Sequence, residues 1–124
     1  MSDRQQTLAD AVEIEGVGLF FGKPVRLRCL PAPADTGVVF VRTDLPGAPR
    51  IPAALSALKG PQRWTGLCEG EAEVNMVEHL LAAARGLGID NLVVEADAAE
   101  MPAGDGSASV FVEPFAYSTS AAAE

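Results

Sequence analysis

The sequence predicts an α+β fold: a two-layer sandwich with two helices on one face of a mixed, mainly antiparallel sheet. Period-two alternation of apolar and polar residues fills the first half of the chain, Met76–Arg85 carries apolar residues at helical spacing, and a second apolar segment follows Asp105-Gly106 near the end. With 124 residues, the chain is expected to form one domain whose folding buries roughly two-thirds of its surface.

Each element follows from local pattern. Thr7 to Glu15 places Val12 and Ile14 on one face and acids on the other, which predicts a half-buried strand, and Gly16 and Gly18 predict a turn. Val25, Leu27 and Cys29 alternate with Arg26 and Arg28 in a hairpin partner from Pro24 to Leu30. Val38–Arg42 is rich in β-branched and aromatic residues and predicts a more buried strand. Ile51 to Leu58 fits neither pattern cleanly. Arg63–Leu67 and Ala72–Val74 read as short strands around the Glu69-Gly70 turn.

The helix at Met76–Arg85 aligns Val77, Leu80, Leu81 and Ala84 in one stripe. Asn75 stands three residues before Glu78, the spacing of a capping box, and Gly86 followed by Leu87 predicts a left-handed stop. Leu92–Glu95 reads as a strand. A second helix is expected from near Ser107, short or kinked because Pro114 cannot bond the Val110 carbonyl. The Ser/Ala-rich tail from Ser118 to Glu124 is expected to fray.

Composition excludes several functions. Seventeen acidic against nine basic residues give a net charge of −8, which disfavours nucleic acid and anionic membrane surfaces as partners. No apolar stretch approaches transmembrane length and no signal segment opens the chain, so a cytoplasmic location is expected. Cys29 and Cys68 are too few for a disulfide framework and read as small core residues. The sole histidine, His79, cannot complete a zinc site within one copy of the chain.

One segment joins a metal-ligand type to an acid–base type: Val77-Glu78-His79-Leu80-Leu81. At 100° per residue His79 lies nearly opposite the core stripe, with Ala82 and Ala83 on its side, a small-residue surface that another backbone can approach. The bland alternatives are a Glu78 that only caps the helix, a surface histidine, and alanines chosen for helix propensity. Asp105 and Ser107 read as a turn and N-cap, and Asp97 and Glu100 as solvated loop acids. Phe20 and Phe21, between Gly18 and Gly22, cannot both face one core, so one is a candidate apolar lip.

The blocks Glu15-Gly16-Val17-Gly18-Leu19, Gly22-Lys23-Pro24-Val25, Arg42-Thr43-Asp44-Leu45-Pro46-Gly47, Val77-Glu78-His79-Leu80-Leu81-Ala82-Ala83, Gly86-Leu87-Gly88-Ile89-Asp90-Asn91 and Asp105-Gly106-Ser107-Ala108 stand in an order that resembles the N-terminal domain of UDP-3-O-acyl-N-acetylglucosamine deacetylase, the zinc amidase of lipid A biosynthesis. The resemblance implies a mixed sheet under two helices and an active site between two facing domains. It implies that His79 is a zinc ligand, that Glu78 is the general base, and that Leu19 lies at the substrate cleft, with Phe20 and Phe21 beside it.

Phe20-Phe21-Gly22 replaces the family's usual His-Ser-Gly, and the family's second domain, with its further zinc ligands, has no counterpart in residues 1–124. A competent site is therefore expected only if a homodimer or a separately encoded second domain docks on the helix 76–85 face. The substrate implied is an acylated sugar nucleotide. The alternative is a catalytically inactive stand-alone domain that acts as a binding or regulatory module, a reading favoured by the apolar Phe20-Phe21 pair.

Overall fold

The computed structural model describes residues 5–18, 22–54, 66–102, 109–116 and 119–121. Its centre is a five-stranded sheet in the order β2-β3-β8-β4-β5, formed by β2 (Val12–Val17), β3 (Pro24–Pro31), β8 (Leu92–Ala96), β4 (Val38–Arg42) and β5 (Arg50–Pro52). All its neighbours are antiparallel except β4 and β8, which run parallel with Phe40 beside Val94. A parallel neighbour needs a crossover, and the chain between β4 and β8 contains α1 (Glu78–Gly86). The protein is thus α+β with a mixed sheet, as the alternation predicts.

Strand register decides which side chains meet. Ile14, Leu27, Val94, Phe40 and Ile51 are all buried on one face and cluster with Leu80 and Ala84 of α1 and with Phe111 and Phe115 of α2 (Ser109–Ala116). The opposite face carries Glu13 and Glu15 across from Arg28 and Arg26, and Arg26 meets Glu15 at 2.6 Å.

The predicted strand Thr7–Glu15 is two strands. β1 (Gln6–Leu8) leaves the main sheet and pairs antiparallel with β9 (Thr119–Ala121), while Ala9 to Ala11 are exposed between β1 and β2. Thr7 anchors β1: its buried hydroxyl donates to Asn91 O at 2.6 Å and accepts from Ala32 N at 2.9 Å. Residues 119–121 of the tail expected to fray are therefore held, because β1 presents an unpaired edge to them.

Other corrections are local. The strand predicted at Ala72–Val74 is β7 (Ala72–Asn75), and the strand predicted at Arg63–Leu67 lies at β6 (Gly66–Glu69). Of the ambiguous stretch Ile51–Leu58, Ile51 and Pro52 belong to β5, and residues 55–65 lie outside the described residues. α2 continues to Ala116 through Pro114, because Phe111 and Phe115 are buried one turn apart, with ring centroids 6.3 Å from each other. Asp105 and Ser107, read as a turn and N-cap, lie outside the described residues. α1 ends in a Schellman motif: Gly88, not Gly86, is left-handed (φ 73°), Gly88 N bonds Arg85 O, and Ile89 N bonds Ala84 O.

Candidate functional site

The Glu78–His79 pair grows from the end of β7. Asn75 is buried and is held on both sides of its backbone: it pairs with Gly66 of β6, while its N–H donates to Ala99 O at 2.6 Å and its carbonyl accepts from Met101 N at 3.1 Å. Met76 then turns the chain through the left-handed region (φ 61°), and Val77, fully buried, is the N-cap of α1. Glu78 is the first helical residue and His79 the second. With Val77 and Leu80 buried on the core side, both Glu78 and His79 are half-buried.

The capping box expected from Asn75 and Glu78 does not form. Val77 is the N-cap and makes no side-chain cap bond, and the Asn75 amide donates to Glu73 Oε1 at 3.2 Å. The helix starts two residues later than the spacing suggested, because the left-handed Met76 separates Asn75 from the helix. Glu78 is nonetheless the acidic residue of the first turn of α1.

Of the two alanines expected beside His79, Ala82 is exposed but Ala83 is buried within the chain. α2 packs alongside α1, so the free small-residue surface is narrower than helical spacing suggests. Leu19, Phe20 and Phe21 lie outside the described residues. Among the described residues next to them, Gly18 N donates to Lys23 O at 3.0 Å and Gly22 N to Gly18 O at 3.1 Å.

Glu100, read from sequence as a solvated acid, is 4% exposed. Its side chain lies against the α-carbon of Gly18, and its backbone forms a parallel bridge with Asn75. Asp97, by contrast, is exposed and accepts from Arg26 N at 2.8 Å. The signal for Glu100 was in the Gly16-x-Gly18 spacing: two missing side chains leave room for a neighbouring segment to lie flat. A cavity of about 490 Å³ opens beside this segment, lined in part by Lys23, Arg42, Glu73 and Glu100; neither Glu78 nor His79 lines it.

A family model for UDP-3-O-acyl N-acetylglycosamine deacetylase, LpxC, matches residues 5–122. The chain belongs to this family. It is 48% identical over 113 residues to the UDP-3-O-acyl-N-acetylglucosamine deacetylase of Trichormus variabilis, a match covering 91% of this chain and 40% of that protein. The proteins of the same name from Cellvibrio japonicus and Actinobacillus pleuropneumoniae serotype 3 are 48% and 46% identical over 88% of the chain, and 36% of each is covered. The chain therefore spans well under half the length of the deacetylases it matches.

The donor set fits that family's metal only in part. Among the described residues no group of three or more His, Cys, Asp or Glu side chains is placed to hold a metal ion. Catalytic zinc typically takes three protein ligands and keeps one position open. His79 offers one imidazole, and the described residues do not complete a site around it. Among the described residues no helix is long and apolar enough to cross a membrane.

Proposed function

We propose that this chain supplies one wall of a UDP-3-O-acyl-N-acetylglucosamine deacetylase site, with His79 as one zinc ligand and Glu78 as general base, and that a second domain or a second copy docked on the helix 76–85 face supplies the remaining ligands. The observation that carries this reading is the placement of Glu78 and His79 side by side in the first turn of α1, both half-buried.

Zinc, when bound, acidifies a coordinated water and polarises the amide carbonyl. Glu78 would receive the water's proton at a carboxylate oxygen. His79 would bind the metal through one ring nitrogen, the ligating atom that metal binding requires to be unprotonated. Its place one residue into the helix gives it a backbone stiffer than a loop provides. The substrate would be an acylated sugar nucleotide entering near Leu19, Phe20 and Phe21, and the reaction a cytoplasmic step of lipid A synthesis.

The test is to mix or co-express the chain with a candidate second domain and to measure zinc content, oligomeric state and amide hydrolysis. His79→Ala is expected to remove bound zinc while the fold persists. Glu78→Gln is expected to keep zinc and lower hydrolysis by about 10²- to 10⁴-fold. Zinc content unchanged by His79→Ala, or a chain that stays monomeric and metal-free with every candidate, would overturn the proposal in favour of a non-catalytic binding module.

A further inference from the structure

The segment Ala99–Pro102 lies where two glycines leave space for it. A β-carbon at Gly16 would stand 2.7 Å from Pro102 Cβ. One at Gly18 would stand 2.7 Å from Glu100 Cδ and 3.0 Å from its Cγ, and against its Oε1. Contacts that short force something to move, and Glu100 has little room, being 4% exposed. On its other side the segment is bonded to Asn75, from Asn75 N to Ala99 O and from Met101 N to Asn75 O. It is therefore a strap between the end of β2 and the root of α1.

We propose that Glu100 is a positioning residue for the Glu78–His79 pair, setting where the root of α1 sits relative to Gly18 at the end of β2. Calling the pair functional rests on the reading above; the mechanical coupling does not. Asn75 is bonded through both its N–H and its carbonyl to the strap, the left-handed Met76 fixes the turn direction, and the buried Val77 locks the first helical residue. Little freedom remains between the strap and His79. Displacing Glu100 displaces the strap, and with it the point from which the pair projects.

His79 is the sole histidine, so its ring gives one unambiguous set of nuclear magnetic resonance signals. The experiment compares the full chain with Glu100→Ala, Glu100→Gln and Gly18→Ala, using Ile51→Val, a core change on β5, as a control for general loss of stability. Glu100→Ala and Gly18→Ala are expected to move the His79 ring and Glu78 amide signals and to speed amide exchange at Asn75 and Met101 by about tenfold or more relative to the control. Glu100→Gln, which keeps the side-chain length, is expected to lie nearer the wild type than Glu100→Ala.

The proposal is overturned if Glu100→Ala and Gly18→Ala leave the His79 and Glu78 signals in place while lowering stability as Ile51→Val does. Should Glu100→Ala fail to fold, Gly18→Ala and Glu100→Gln decide: unmoved signals in both overturn it, and a shift in Gly18→Ala supports it. No readout involves zinc or hydrolysis, so failure of the enzymatic reading is seen separately.

Discussion

Arg42, 7% exposed at the end of β4, closes a two-bond fork on Asp44, with Nε to Oδ1 at 2.8 Å and Nη2 to Oδ2 at 2.7 Å. Its third contact, Nη1 to Glu73 O at 2.7 Å, ties the main sheet to β7, the strand from which the Glu78–His79 turn grows.

Because the planar guanidinium makes all three bonds at once, a point charge does not replace it. Arg42→Ala is expected to lower unfolding free energy by about 2–3 kcal/mol, chiefly through the three lost guanidinium hydrogen bonds and the lost packing, and Arg42→Lys by roughly half of that. Urea denaturation checks both. A loss below about 0.5 kcal/mol for Arg42→Ala contradicts the role given to the fork.

The hydrogen bonds from Arg42 hold the Asp44 carboxyl below the usual carboxylate range. The unfolded chain therefore binds this proton more readily than the folded one. The contribution to stability is full above the unfolded aspartate value of about 4 and is lost as pH falls through the lower folded value. Asp44→Asn should give a flatter dependence of the urea midpoint on pH below about 5, and equal slopes for both proteins would contradict the assignment.

Met76 holds a conformation that suits glycine (φ 61°). Met76→Gly is expected to preserve the turn and to raise stability by up to about 1 kcal/mol, and Met76→Val to lower it by about 1–3 kcal/mol, since a β-branched side chain crowds its own backbone there. Thermal unfolding of the two variants should separate them in opposite directions from the wild type.

Burial pushes the Cys29 thiol up to about 12, whereas Cys68 on β6 is half-exposed. In native protein at pH 8 a maleimide should modify Cys68 and leave Cys29 untouched until the chain is unfolded. Mass spectrometry after limited labelling reads the site directly. Equal labelling of both cysteines would mean that the core around Cys29, Phe40 and Val94 opens readily.

Much of the fold is legible in the local pattern of the sequence. Alternation in Val12–Ile14, Val25–Cys29 and Val38–Arg42 identifies strands because successive strand side chains face opposite ways, and the stripe Val77, Leu80, Ala84 identifies α1 because helical neighbours recur at three and four residues. The capping box misled because Asn75 and Glu78 have the right spacing, yet spacing cannot report that Met76 adopts a left-handed turn between them. Gly88, rather than Gly86, ends α1 for a related reason: two glycines stood near the same end, and only the chain direction toward β8 selects between them.

The sequence by itself determined the α+β class, the family, and the adjacency of Glu78 and His79, since all three are written in local order along the chain. Tertiary structure alone decided that β1 pairs with Thr119–Ala121, that Glu100 is buried against Gly18, and that Ala99 and Met101 grip Asn75. Local pattern specifies which face of an element is apolar. Which distant segment fills the space beside a glycine, or pairs with an open strand edge, depends on how all the elements close together, and that arrangement sets where the Glu78–His79 turn begins.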